Sequence, residues 1–227
     1  MLEKVLSENG GEGCYIPYQA RACELIDKAT VAQILGVDAS KMEVGDTFQK
    51  LHAMGKKKDQ PYKGSRYAKC EYNWKDKNQK IKEYIKQLKR EFEVPIYANV
   101  QIGAFAPQQS VATFKQFYRN VSDEEMNNSM KKAGEKMEKS GKYSKEQVGM
   151  ATELGKGLAS GRTVTYLDNL GEAAASIRSK INGEQTEVIV FFKGNEFQVS
   201  VKMAGKTYAQ NMEYTMKIAQ EVLKKCK

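Results

Sequence analysis

The chain of 227 residues contains a single histidine, His52, in a polar stretch between Leu51 and Ala53. A Ser-His-Asp triad or a histidine metal ligand would have to use this one residue, and a site with several histidines is excluded. We interpret His52 as an exposed loop residue. The sequence therefore predicts no catalytic residue, no metal site and no cofactor.

Two other segments have residue types that occur in active sites. The acidic run at 123–125 starts a helix, where carboxylates complement the helix dipole. The glycines of 155–161 lie beside Lys156, but they lack the G-x-x-x-x-G-K-[ST] spacing of a phosphate loop and do not follow a strand. Neither segment supports an enzyme, so catalysis ranks third among the hypotheses, after two binding functions.

The strongest chemical feature is a basic segment at 50–90, with 14 Lys and Arg residues against four Asp and Glu residues. The whole chain has a net charge of +9, so the rest of it is nearly neutral. Tyrosines and a tryptophan interrupt the lysines, and this combination can hold phosphates and stacked bases. The candidate binding residues are Lys56, Lys57, Lys58, Lys63, Arg66, Tyr72, Trp74, Lys82, Lys86 and Lys89.

Three interpretations of this basic segment remain open. Lysines act as point charges, which is sufficient for anionic lipid headgroups or acidic glycans of a cell envelope. Nucleic acid is the alternative partner, but recognition of bases favours arginine, and the segment has only Arg66 and Arg90. The third interpretation is a solvated surface that keeps the protein soluble.

Four cysteines, at positions 14, 23, 70 and 226, bear on whether the protein resides in an oxidising or a reducing compartment. No pair has the C-x-x-C spacing of a zinc ribbon or a redox motif, and the long intervals suit two disulfides with three possible connectivities. Disulfides favour an oxidising compartment. Four free thiols in a cytosolic protein would be the alternative.

The first 13 residues read as a flexible leader without the apolar stretch of a signal peptide. The chain is either cytosolic or has lost its signal sequence, and the cysteines favour the second possibility. No segment approaches the roughly 20 apolar residues of a membrane span. We expect residues 14–227 to form one domain, with the basic insert at 50–90 and a helical hairpin at 122–160.

Periodicity and capping signals predict the order of the elements. In the first half we expect a helix at 25–35 with Asp27 as N-cap and Gly36 as its end, strands at 66–74 and 97–105, a lysine-rich helix at 77–92 and a helix at 111–118. In the second half we expect helices at 123–139 and 145–159 that begin at capping boxes, a strand at 163–167, a helix through 173–177, a hairpin at 186–203 and a helix at 208–226.

These elements predict an α+β fold, an antiparallel sheet of hairpins with helices packed on it. The order helix-strand-strand-helix occurs around 25–118 and again around 170–226. This is a weak internal duplication, because sequence identity between the halves is negligible.

Several motifs resemble a diffuse group of exported bacterial domains of unknown function, many of them lipoproteins. The opening helix has a cysteine, aliphatic residues, a Thr or Asp cap and a final Leu-Gly, as in 23–36, and a strand cysteine follows near an aromatic residue, as in 70–74. The Leu-Gly-Glu-Ala-Ala turn at 170–174, the hairpin at 188–201 and the helix at 218–223 resemble the tail of the group. The match leaves 75–160 unaccounted for.

The resemblance implies an envelope or periplasmic location and a disulfide between Cys23 and Cys70, which would leave Cys14 to pair with Cys226. It implies no known activity, and the chain departs from the group by its lysine-rich insert and the missing lipidation signal. We therefore expect an exported, non-enzymatic binding protein for an anionic surface, ligand or protein partner, with nucleic-acid binding as the alternative.

Overall fold

The structure is a computed structural model that describes residues 14–48, 68–85, 89–107, 110–159, 162–179 and 184–226. The helices are α1 (Lys28–Leu35), α2 (Val111–Phe117), α3 (Asp123–Lys139), α4 (Lys145–Ala159) and α5 (Tyr208–Lys224). The strands are β1 (Met42–Asp46), β2 (Lys69–Ile85), β3 (Arg90–Pro107), β4 (Arg162–Leu167), β5 (Ala173–Ser179), β6 (Thr186–Phe192) and β7 (Asn195–Met203). The expected leader at 1–13 and His52 lie outside the described residues.

The seven strands form one sheet in the order β1-β2-β3-β7-β6-β5-β4, and every neighbouring pair is antiparallel. The pairing of β3 with β7 joins the strands of the two halves of the chain. In an antiparallel sheet the two faces can differ in chemistry, because side chains alternate between them. The predicted α+β fold with an antiparallel sheet is confirmed.

One face of the sheet, here called the inner face, carries the main hydrophobic core together with α1 and α5. Tyr15, which precedes the first 3-10 turn, is fully buried against the rings of Phe105 and Phe197, at centroid distances of 6.0 and 4.9 Å. Its hydroxyl donates a hydrogen bond of 3.3 Å to the carbonyl of Val222 in α5. The N-terminal segment is thus part of the core and connects the sheet to the last helix.

The ends of α1 follow from two residues. The carboxylate of Asp27 accepts a hydrogen bond of 2.9 Å from the backbone N–H of Thr30, which satisfies a free donor of the first turn. Gly36 adopts the left-handed conformation, with φ of 69°, and ends the helix. Both roles were predicted. The helix itself begins at Lys28, directly after the Asp27 cap, and not at residue 25.

Two disulfides connect distant parts of the chain, and all four described cysteines are paired. Cys23 in a 3-10 turn is bonded to Cys70 in β2, and Cys14 is bonded to Cys226 after α5, at Cα separations of 4.8 and 5.8 Å. The pairing that the resemblance implied is the one observed. The bridges attach the N-terminal segment to strand β2 and to the end of the final helix.

The lysine-rich helix predicted at 77–92 is wrong. Residues 69–85 form one continuous strand, which pairs with β3 as far as Ile85 opposite Arg90. The apolar residues 81, 84, 85 and 88 have helical spacing, but pairing with β3 in a long hairpin overrides this intrinsic preference. Pro95, expected to break a helix, lies within β3 beside the register shift between Asp76 and Lys80, a position at which a strand tolerates proline.

The helix predicted through 173–177 is also wrong. These residues form β5, which pairs with β4 on one side and β6 on the other. The alanines favour a helix by intrinsic propensity, but their small side chains fit a central strand, where Ala174 and Ala175 are buried. The order helix-strand-strand-helix is therefore absent from the second half. The structure does not show the predicted duplication of this order.

The remaining predictions in the second half agree with the structure. Ser122 with Glu125 forms a capping box, and Ser144 with Gln147 forms the same reciprocal hydrogen bonds at the start of α4. The predicted helical hairpin is confirmed as α3 and α4, which pack against each other where Gly134 lies close to Val148. Strands β6 and β7 are joined by Lys193 and Gly194.

The edge strand β4 is covered by a side chain. The Asn120 amide accepts a hydrogen bond of 2.8 Å from the N–H of Val164 and donates one of 2.9 Å to its carbonyl. The Tyr166 hydroxyl donates to the carbonyl of Lys115 at 3.1 Å. One amide side chain therefore replaces a neighbouring strand at the middle of β4, which opposes edge-to-edge association.

We expect the double substitution Cys23→Ser and Cys70→Ser to lower the free energy of unfolding by about 4 kcal/mol, because the bridge closes a loop of about 48 residues. Urea denaturation followed by circular dichroism measures this loss. The parent protein should react with no maleimide under denaturing, non-reducing conditions. An unchanged urea midpoint in the variant would contradict a structural role of the bridge.

Asp27→Ala should cost about 1 kcal/mol of stability at neutral pH, because the N-cap hydrogen bond is lost. The hydrogen bonds from the Thr30 backbone and side chain lower the pKa of Asp27. Its contribution is therefore complete above the unfolded pKa of about 3.9 and disappears as the pH falls through the lower folded value. Denaturation of the parent and the variant at neutral and acidic pH tests this.

Asp27→Asn is the matched control, because asparagine also caps helices but does not titrate. It should remain close to the parent at neutral pH and retain its contribution in acid. Equal stabilities of the parent and Asp27→Ala at neutral pH would show that the cap contributes nothing.

Candidate functional site

Strands β2 and β3 continue beyond the rest of the sheet as a two-stranded ribbon. β1 pairs with β2 only as far as Trp74, and β7 pairs with β3 only from Ala98 onward. The residues beyond these points, 75–85 and 89–97, are here called the basic ribbon. The eight paired residues of β3 give the ribbon a length of roughly 25 Å.

The fold reduces the net positive charge of this region, because β3 brings its own carboxylates beside the lysines of β2. The described ribbon has six basic and four acidic residues. Lys80 lies 3.9 Å from Glu93. Among the described residues, the other five basic side chains have no carboxylate within 4.0 Å, and all are exposed: Lys75, Lys77, Lys82, Lys89 and Arg90.

The base of the ribbon is held against the end of β7. The carboxylate of Glu83 accepts a hydrogen bond of 3.1 Å from the Tyr97 hydroxyl and lies 3.2 Å from the ammonium of Lys202. Partial burial disfavours the charged lysine, but the hydrogen bonds and charge of Tyr97 and Glu83 outweigh this effect and raise the pKa of Lys202. Glu83 is therefore already paired within the protein.

The aromatic residues predicted to bind a partner belong to the core. Tyr72 is only 1% exposed, and its hydroxyl donates to the carbonyl of Ile26. Burial raises the pKa of Tyr72. Trp74 packs against the main core. Neither ring is presented on the ribbon, where Tyr84, at 56% exposure, is the most accessible described aromatic residue.

The basic residues predicted to bind a partner divide into two groups, those within the described residues and those outside them. Lys82 and Lys89 are exposed on the basic ribbon. The others lie outside the described residues: Lys56, Lys57, Lys58, Lys63, Arg66 and Lys86. The structure thus brings together part of the predicted basic surface, without the aromatic side chains expected beside it.

A second polar cluster lies on the face of the sheet opposite the main core, here called the outer face. Glu187 of β6 is paired with Ser200 of β7, and Ser200 is paired with Gln101 of β3. Gln101 is in turn paired with Glu71 of β2. Directly paired residues lie on the same face, about 5 Å apart. These four residues, here called the polar row, therefore cross four adjacent strands.

Helix α2 packs on the outer face beside the polar row. Phe114 packs against Ile189 and Phe191 in a second, smaller core, with 6.2 Å between the Phe114 and Phe191 ring centroids. Glu187 follows on the same face of β6, two residues before Ile189. In the polar row, Glu187, Gln101 and Glu71 are half-buried and Ser200 is buried.

Lys69 of β2 lies beside the polar row and is paired with Gly103 of β3, where the two backbones come close together. A Cβ atom on Gly103, which has φ of 155°, would lie 2.3 Å from the carbonyl oxygen of Ala68. The Lys69 ammonium donates to the Gln101 side-chain oxygen at 3.4 Å, and the Gln101 amide donates to Glu71 at 3.1 Å. One end of the polar row is therefore internally hydrogen-bonded.

Burial changes the charge states of the polar row. It raises the pKa of Glu187, although the nearby cations of Lys69 and Arg162 act in the opposite direction. It lowers the pKa of Lys69, against the opposing charges of Glu187 and Glu71. The two ionisable groups thus face each other in a partly desolvated environment, where polar contacts are stronger than in water.

The polar row was missed by the sequence analysis. The strands at 97–105 and 186–203 were predicted. Within each strand, alternation of polar and apolar residues separates the two faces of the sheet. Which polar residue lies beside which depends on the register between β3 and β7, and these strands are about 100 residues apart in the chain. No local signal encodes that register.

Among the described residues, no group of three or more His, Cys, Asp or Glu side chains is placed to bind a metal ion. None of the described helices combines the length and the apolar character needed to cross a membrane. The described residues present two polar features, the basic ribbon and the polar row.

We compared the chain with protein-family profiles, curated proteins and solved structures, and none of the three comparisons gave a match.

Proposed function

We propose that this protein is an exported, non-enzymatic binding domain of the cell envelope, and that its basic ribbon contacts an anionic surface. The two disulfides support an oxidising environment, since such bridges form and persist outside the reducing cytosol. The motif resemblance supports an envelope location.

One observation carries the proposal for the ribbon. Five exposed basic side chains lie on a strand pair that projects from the sheet, without a carboxylate within 4.0 Å among the described residues. Four of these five are lysines, which interact as point charges and require no fixed geometry of the partner. Anionic lipid headgroups and acidic glycans both present suitable charges, and each nearby lysine contributes about 1 kcal/mol at a lipid surface.

Nucleic acid is the less favoured partner. Stacking on bases needs exposed aromatic rings, and both Tyr72 and Trp74 pack in the core. Arg90 is the one described arginine on the ribbon, so bidentate recognition of guanine is restricted to that position. A phosphate backbone would still be attracted by the lysines, which makes DNA binding an outcome that the experiment must distinguish.

The test replaces Lys75, Lys77, Lys82 and Lys89 by glutamine in one variant. We expect at least tenfold weaker binding to vesicles that mix phosphatidylglycerol with phosphatidylcholine, because four surface cations are removed. Co-sedimentation at increasing salt concentration measures the affinity, which should decrease steeply with salt. Parallel titrations with polygalacturonate and duplex DNA distinguish the lipid, acidic-glycan and nucleic-acid sources of negative charge.

The matched control replaces Lys131, Lys132, Lys139 and Lys142, exposed lysines of the helical hairpin and its turn, by glutamine. It removes the same charge from another surface and should bind like the parent. Equal losses in both variants would show a general charge effect. Binding to neither vesicles nor polygalacturonate would contradict the proposal, and binding to DNA alone would favour nucleic acid.

A further inference from the structure

The helical hairpin of α3 and α4 has little core of its own. The two helices pack against each other, and neither packs extensively against the sheet or against another described helix. Among the described side chains of the hairpin, Val148 is the one buried apolar side chain, and it lies close to Gly134. Helices of 17 and 15 residues gain most of their stability from the packing of an apolar face, so the contact between them is small for their length.

An apolar stripe on α3 lies beside the contact with α4 and not in it. Its members are spaced four, three and four residues apart, as in the seam of a coiled coil, and are here called the methionine stripe: Met126, Met130, Ala133 and Met137. Ala133 is exposed, and the three methionines are only half-buried. Because successive residues are about 100° apart around a helix, the stripe is rotated by roughly 70° from Gly134, which contacts α4.

Exposed apolar side chains occur at both ends of the hairpin. Phe117, at the end of α2, and Val121, just before the cap of α3, lie at the end next to the sheet. Tyr143 lies in the turn between the two helices. In the described part of the chain, four of the seven exposed large apolar side chains are within 117–150. This concentration is typical of an interaction surface.

The charges of the hairpin are opposite at its two ends. The half next to the sheet, 123–130 and 153–159, has four acidic residues and one lysine, and Arg119 pairs with one of the four, Glu125. The half next to the turn, 131–152, has six lysines and three glutamates. A second copy in antiparallel orientation therefore brings the acidic half of each hairpin beside the basic half of the other. The same orientation brings the apolar turn beside the apolar residues at the sheet end.

We propose that the helical hairpin is the dimer interface of this protein, in which two copies pack their methionine stripes together in antiparallel orientation and the four helices form a bundle. Methionine side chains adapt readily to a facing apolar surface. A face two helices wide, about 20 Å, and about 25 Å long gives an interface of roughly 1,000 Å² over both copies, at the low end of specific interfaces. We therefore expect a dissociation constant in the micromolar range. The dimer does not depend on a partner of the basic ribbon.

Sedimentation velocity of the full chain tests this interface over protein concentrations from about 1 to about 300 µM. We expect a shift from monomer to dimer within that range. Ala133→Glu should weaken the dimer at least tenfold, because it places a charge at the centre of the methionine stripe. The protomer should fold normally, since Ala133 is exposed, and circular dichroism checks this.

Asn128→Glu is the matched control, because it adds the same charge at an exposed position on the opposite side of α3. It should leave the dissociation constant unchanged. The lysines replaced in the hairpin control for the basic ribbon also lie outside the methionine stripe, so that variant keeps the apolar contact and should still form the dimer.

The antiparallel orientation is tested with two further variants, Met126→Cys and Met137→Cys. Mild oxidation of their equal mixture should give a cross-linked dimer, whereas neither variant alone should cross-link, because position 126 of one copy lies beside position 137 of the other. The proposal is overturned if the chain stays monomeric over the whole range, if Ala133→Glu and Asn128→Glu dimerise equally well, or if either cysteine variant cross-links by itself. Each of these results leaves the proposal for the basic ribbon unaffected.

Discussion

The pairing of β3 with β7 is the interaction on which the rest of the structure depends. This pairing joins the three strands of the first half, β1, β2 and β3, to the four strands of the second half. Its register places Val100 opposite Val201. On the inner face this register closes the main core. On the outer face it aligns the polar row across the two halves. A one-residue shift would exchange the two faces, so the same hydrogen bonds determine both the packing of the core and the alignment of the polar row.

The sequence predicts local structure well where the responsible residues are neighbours in the chain. Asp27, Gly36 and the capping boxes of α3 and α4 act within one turn of helix, and their roles could be inferred from residue type and spacing. The prediction failed at 77–92 and 173–177, where helix-favouring residues form strands. There, strand pairing, with one partner strand at 77–92 and with two at 173–177, outweighs a propensity difference of less than about 1 kcal/mol per residue.

The candidate sites show the same division between local and non-local information. The excess of lysine at 50–90 is visible in the composition, and part of it does form an exposed surface. Its partial compensation by Glu91 and Glu93 of β3 is not predicted, because it requires the two segments to pair as a hairpin and not to form a helix. Tyr72 and Trp74 alternate with polar residues along β2, and this alternation is the signal that places both rings on the side of the core and not on the ribbon. The polar row depends on tertiary register alone, so no sequence pattern identifies it.

The bridge between Cys14 and Cys226 makes the backbone from residue 14 to residue 226 a covalently closed ring. Hydrolysis of any one peptide bond within that ring leaves a single molecule of almost unchanged mass, whose fragments stay together until the disulfides are reduced. Proteases cut preferentially in exposed surface loops. In this chain, one such cut opens the ring without releasing any part of the sheet.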